Sequence, residues 1–222
     1  MVHRKLGAIA FVLGVSVCCA AAAQAGPIIG AVGGVINSGG PGNGTLTETF
    51  NQAGLSVAYV SGVTDFDAYL ALNPTHTVVF SGYEWFGNAG TSSASVTYDL
   101  GAVKSVARLA LWNEESSGIG RLDLSWSTDN VNFFALASGL LPTDHPLVDY
   151  KADVFSFAST SARYIRFDMS ACPQPIVGSF NACAIGEVAF DNASTTSVPD
   201  PGSSLLLLGM SLVGLRAWKR RQ

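Results

Sequence analysis

The chain has 222 residues with a formal net charge of −4, and 48% of its residues are hydrophobic. Twelve Lys and Arg against sixteen Asp and Glu hide an uneven distribution. Two bases lie near the N-terminus and four near the C-terminus, so residues 26–197 hold fifteen acids and six bases, a formal charge of −9. A domain of that sign repels phosphate backbones and carries no basic stripe, which excludes nucleic acid as a partner.

In chain order, His3, Arg4 and Lys5 are followed by an apolar run from Leu6 to Ala23 and by Ala23-Gln24-Ala25 before Gly26. A basic start, an apolar stretch and a small-x-small site predict a secretory signal peptide over residues 1–25. Cys18 and Cys19 leave with it. The two remaining cysteines, Cys172 and Cys183, are an even count in an oxidising compartment and predict a disulfide that staples the segment around Pro173 and Pro175. Two cysteines without neighbouring histidines do not make a zinc site.

Residues 26–197 are predicted to form one domain. Its Gly-rich first part, 26–44, reads as a flexible lead-in, with Ile28-Ile29 and Val32–Ile36 as the alternative, an edge strand. Asp65–Leu72 predicts a short helix stopped at Asn73-Pro74. Thereafter the period is two. In Arg121–Ser127 the apolar set Leu122, Leu124 and Trp126 alternates with polar residues, Thr128-Asp129-Asn130 supplies a turn, and Val131–Leu136 reads as the return strand. Ser95–Leu100, Ser105–Asn113, Val154–Phe157, Ala162–Met169 and Ala184–Phe190 are further strands. Seven or more short strands imply an all-β antiparallel sandwich.

Five blocks in this order resemble the discoidin or coagulation-factor C-type domain. They are Ser95–Gly101, Val106–Asn113, Leu122–Asn132, Ala162–Phe167 and Ile185–Phe190. The likeness covers about residues 90–190 and implies a galactose-binding-like jelly roll, a fold that includes many carbohydrate-binding modules. In that family function lies in loops at one end, which places the loop from Asn113 to Gly120 in a glycan site. Trp112 at its base, or Trp85, would stack a sugar face, with Asn113, Glu114 and Glu115 accepting hydroxyl hydrogen bonds and His145 in a second loop. The alternative for Trp112 is a core position in an alternating strand, and for Glu114-Glu115 a solvated turn. The family's structural calcium implies Glu187 as a late acidic ligand, although no Asp-rich calcium loop is present. The sequence offers no Gly-x-Ser-x-Gly elbow and no histidine pair for zinc, so no enzyme is expected.

The chain ends with Val198, Pro199, Asp200, Pro201, Gly202 and two serines, an apolar run Leu205–Leu215, and the bases Arg216, Lys219, Arg220 and Arg221. The prolines hold an extended stretch accessible to a processing enzyme. Eleven apolar residues span about 16 Å as a helix against a hydrocarbon core of ~30 Å, so the predicted helix 203–218 needs its snorkelling bases to approach spanning. Those bases hold the end in the cytoplasm. The order of parts over residues 198–222 resembles the PEP-CTERM sorting signal of Gram-negative bacteria, also labelled the ice-binding protein C-terminal domain, with Asp200 replacing the usual Glu. The resemblance implies an exosortase-type membrane transpeptidase as partner, transient residence in the inner membrane with the acidic domain in the periplasm, and a final place at the cell surface or outside. An exopolysaccharide is the expected glycan. The competing expectation is a structural or adhesive envelope protein without a small-ligand site. Ice binding would need a flat array of threonines, and Thr45, Thr47 and Thr49 are too few.

Overall fold

A computed structural model of the chain describes residues 26–79, 81–176 and 180–193. The predicted signal peptide and the sorting tail, including helix 203–218, lie outside these residues. Among the described residues no helix is long and apolar enough to cross a membrane.

The domain is antiparallel β throughout. Its strands are β1 (Ile28–Ile29), β2 (Gly33–Ser38), β3 (Thr75–His76), β4 (Trp85–Phe86), β5 (Ser93–Trp112), β6 (Arg121–Ser127), β7 (Phe134–Leu140), β8 (Tyr150–Lys151), β9 (Asp153–Ser170), β10 (Ala184–Ile185) and β11 (Glu187–Asp191). A 3-10 turn covers Leu46–Phe50, and one helix, α1, covers Phe66–Ala71. The largest sheet runs β1-β11-β5-β9-β6-β7, with β2 also paired to β5. Pairs β10-β4 and β3-β8 stand apart from it.

Two long strands turn this one hydrogen-bonded sheet into two layers. β5 and β9 pair along most of their length, with register shifts between Asp99 and Lys104 and between Val106 and Arg108. Before the shifts β5 is flanked by β2 and by the second half of β9, which carries β6 on its other side. After them β5 pairs with β11 and with the first half of β9. Bulges of this kind bend strands, and here they let the halves close on each other. Tyr98, Phe167 and Phe190 meet at the centre: Tyr98–Phe167 centroids are 5.1 Å apart and Phe190 lies 6.4 Å from each. Each such fully buried aromatic stabilises by about 2–3 kcal/mol relative to exposure.

The expected sandwich is present, with informative differences. Ser95–Leu100 and Ser105–Asn113 are one strand rather than two, as are Val154–Phe157 and Ala162–Met169, because the ladder resumes after each shift. Gly101, with φ 79°, absorbs the first. The return strand begins at Phe134 rather than Val131. Asp129 Oδ1 accepts from the amides of Val131 (2.9 Å) and Asn132 (2.8 Å), extending the turn. The Gly-rich 26–44 stretch is paired along its length, Ile29 opposite Phe190, Gly34 opposite Tyr98 and Asn43 opposite Phe86. Helix α1 starts where Asp65 Oδ1 caps Ala68 N at 2.8 Å.

The disulfide Cys172–Cys183 is formed, with Cα atoms 4.9 Å apart. An eleven-residue separation makes it worth about 3 kcal/mol on loop entropy. It ties the end of β9 to the start of β10, and β10 holds β4 through Ile185 opposite Trp85. The residue before β4, Glu84, is thereby fixed at one end of the sandwich.

Candidate functional site

Three segments far apart in sequence converge at that end. The loop 113–120 is closed by Asn113, whose Oδ1 accepts from Ile119 N at 2.8 Å. Its Nδ2 donates to Thr143 O at 2.9 Å and to Gln174 Oε1 at 2.7 Å, so one buried amide joins the 113–120, 143–149 and 172–176 segments. Gln174 Nε2 completes the tie to Pro142 O at 2.7 Å.

Inside lies a group of buried acids. Oxygens of Glu84, Glu114 and Glu115 fall within 4.8 Å of one another. The three residues are 0%, 1% and 4% exposed. Glu114 is clasped by its own turn: Ser116 Oγ donates to Oε1 at 2.6 Å, Ser116 N to Oε2 at 3.0 Å, and Ser117 N also to Oε2. The Tyr150 hydroxyl donates to Glu84 Oε1 at 2.6 Å and lies 3.0 Å from His76 Nδ1. That imidazole nitrogen is 3.2 Å from Glu84 Oε1. Two glycines make the room. A Cβ on Gly186 would collide with the Tyr150 hydroxyl, and one on Gly54 with the His76 ring.

The electrostatics follow from burial. Desolvation first, then the Glu115 and Glu84 charges, push the Glu114 carboxyl up to about 8 against the pull of its serine donors. Glu115 is pushed up to about 7, again chiefly by desolvation, with Glu84 and Asp149 adding to it. Burial and the three glutamates raise the Tyr150 phenol well above its ordinary value, so it stays a donor.

Sequence reasoning reached this place by its loops but misjudged several side chains. Trp112 and Trp85 are both 0% exposed. Trp112 Nε1 donates to Pro74 O at 3.1 Å and its ring meets Tyr69 at 6.5 Å, so it is the core position of an alternating strand and cannot stack a sugar. Trp85 Nε1 is spent on Pro41 O at 2.8 Å. Asn113 is a structural clasp, with both ends of its amide used inside the protein. Glu114 and Glu115 are buried rather than a solvated turn. His145 is half-buried beside Tyr150, ring centroids 5.6 Å apart, and burial lowers its pKa. The expectation missed Glu84, His76 and Tyr150. No local signal marks them, since 66 residues separate Glu84 from Tyr150.

Glu187 stands apart from this cluster. It is 0% exposed, and Oε2 accepts from Gln52 N at 2.9 Å. Oε1 has no hydrogen-bond partner among the described residues. Tyr59, Tyr69 and Tyr98 feel its charge, and burial holds its carboxyl well above the usual range. The adjacent Gln52 Oε1 is already taken by Tyr59 N at 2.7 Å. Calcium needs six to eight oxygen ligands. Among the described residues Glu187 belongs to no group of three or more acidic, histidine or cysteine side chains close enough to share an ion.

The open aromatic surface is elsewhere, on the β6-β7 hairpin. Phe134 is 55% exposed and lies at 5.1 Å and 33° to the Trp126 ring. Next to it Arg166 covers Phe133 at 4.2 Å. A concavity of about 130 Å³, lined by Leu70, Asn73, Pro74, Lys151, Ala152 and Val154, is smaller than the ~300–1,000 Å³ usual for small-molecule sites.

Comparison with known proteins adds a motif and a fold. Residues 197–222 match the VPDSG-CTERM motif, which accommodates Asp200. No curated protein matches the chain. Among solved structures, truncated AlyQ with CBM32 and alginate lyase domains aligns with a TM-score of 0.50 at 20% identity, over 77% of this chain and 34% of that one. Chitosan-binding module 1 of a chitosanase/glucanase from Paenibacillus sp. IK-5 gives 0.45 at 16% identity, over 73% and 95%. The CBM32 of AlyQ in complex with 4,5-unsaturated mannuronic acid gives 0.44 at 19%, over 73% and 96%. The first of these likenesses shows a shared β-sandwich fold.

Proposed function

We propose that this is an exported, non-catalytic surface or matrix protein, delivered by its C-terminal tail and binding glycan through its sandwich. The tail match over residues 197–222 is the observation that carries the reading. With the basic, apolar leader, it supports passage through the inner membrane and recognition of the Val198–Pro201 stretch by an exosortase-type transpeptidase. Arg216, Lys219, Arg220 and Arg221 hold the uncut end in the cytoplasm, and the acidic domain faces the periplasm until release.

Glycan binding rests on the fold shared with carbohydrate-binding modules and on one exposed aromatic surface. Phe134 offers a ring face of the kind on which a sugar's apolar face stacks. An exopolysaccharide of the host surface is the substrate class. Screening the full-length protein in mild detergent on a glycan array tests this. Binding of one polysaccharide class, weakened about tenfold or more in Phe134→Ala, is expected for a lost stacking contact of about 1.4 kcal/mol. Absence of binding, with or without calcium, contradicts it. The second reading, an adhesive envelope protein without a small-ligand site, is favoured by the burial of Trp85 and Trp112 and by the small concavity.

A further inference from the structure

The loop end of the sandwich contains an arrangement of acids that neither the sorting tail nor glycan recognition requires. Three carboxylates are withdrawn from water within 4.8 Å of one another. Among the described residues none of them is paired with a lysine or arginine, and the one basic group in contact is His76, at 3.2 Å from Glu84. Burying like charges together costs several kcal/mol unless they share protons or a cation.

The hydrogen bonds show how the carboxylates are held. Glu114 accepts from two backbone amides and a hydroxyl, which fix the orientation of both its oxygens. Glu84 Oε1 is likewise held by the Tyr150 hydroxyl. Yet Glu84 Oε2 and Glu115 Oε2, both buried, have no hydrogen-bond partner among the described residues. A cation would supply the partner that these buried oxygens lack.

We propose that Glu84, Glu114 and Glu115 form a binding site for a hard divalent cation of calcium size, locking the 113–120 loop to the turn before β4. The donors are all oxygen, which suits calcium, magnesium or manganese rather than zinc. Calcium–oxygen bonds of about 2.3–2.6 Å set opposite ligands up to ~5 Å apart, and the observed spacing lies inside that limit, while magnesium at ~2.1 Å demands a tighter shell. The site is distinct from Glu187, which is not part of this cluster. It does not depend on what the sandwich binds.

Terbium, a luminescent substitute for calcium, tests the site in metal-stripped full-length protein, because Tyr150, hydrogen-bonded to Glu84, lies beside it as a sensitiser. The expected result is saturable one-to-one luminescence displaced by calcium, with affinity reduced about tenfold or more in both Glu84→Gln and Glu115→Gln and unchanged in Glu187→Gln. In chelator the two cluster variants are expected to melt at or above the parent temperature, since a neutral amide relieves like-charge repulsion, which separates lost binding from lost folding. No luminescence together with no calcium-dependent rise in melting temperature overturns the site. So does binding that survives in both cluster variants, or that is lost only in Glu187→Gln.

Discussion

Trp112→Ala destabilises the domain by about 3–5 kcal/mol, a large part of the ~5–15 kcal/mol that holds a domain of this size together. The side chain is fully buried in the smaller core formed by Ile28, Tyr59, Phe66, Tyr69, Ala110, Tyr150 and Ala189. Its removal leaves a cavity the size of an indole under helix α1 and strands the Pro74 carbonyl that its Nε1 satisfies. Urea unfolding measures the loss as a lower midpoint at unchanged slope. Phe134→Ala is the contrast. That ring is mostly exposed, and its loss changes stability by about 0.5 kcal/mol or less. The pair separates a core aromatic from a surface one. A Trp112→Ala variant with parental stability would contradict the placement of this residue and return it to the ligand-facing role its sequence position suggested.

The second large effect is on pH. Glu114 and Glu115 have folded-state values near 8 and 7. Glu187 lies well above its ordinary value for the same reason, burial. A carboxyl whose folded value is raised binds protons in the native state that it has lost in the unfolded chain. Its contribution is therefore complete below the unfolded value of about 4.3 and disappears as pH rises through the folded value. His145 acts in the opposite sense, because its lowered value favours the native state as pH climbs through the ordinary imidazole range. One half-buried imidazole does not offset three buried carboxyls. Asp99 and Asp129, whose values are lowered, are ionised in both states across the window and leave the slope unchanged. In chelator, the melting temperature is expected to fall steadily from about pH 5 to pH 8, and Glu114→Gln is expected to flatten the curve. A flat or rising parental curve would show that the acids are not buried together.

The parts of the fold legible in the sequence are those where one strand face meets the core. Leu122, Leu124 and Trp126 announce β6 by alternation, and Trp112 continues the inward series of β5, which is why the core alternative for it was readable beside the sugar-stacking one. Strand length was not readable. Gly101 and the serines 159 and 161 look like loop residues, yet the ladder shifts at Gly101 and Ser159 and resumes beyond them, with Ser105 opposite Ser161 and its hydroxyl 2.8 Å from that of Ser159. The hairpin turn was placed correctly, but its length depends on the Asp129 carboxylate capping amides two and three residues on. Counting cysteines found the disulfide.

The carboxylate cluster was invisible for a different reason. Acids in a Gly- and Ser-rich loop read as solvated, and nothing local to Glu114 says that Glu84 and Tyr150 will close over it. The staple at Cys172–Cys183, the β4-β10 pair and the bridge between Asn43 and Phe86 bring Glu84 there. The sorting tail, in contrast, was legible at once, since a linear signal is read from its order of parts and needs no fold.

Because delivery by that tail is the central claim, intact mass spectrometry of the protein recovered from its own host tests the account most directly. Processing predicts a mature N-terminus at Gly26 and a C-terminus between Val198 and Pro201, with the apolar run and the four terminal bases gone. A mature protein that still ends at Gln222 would contradict it.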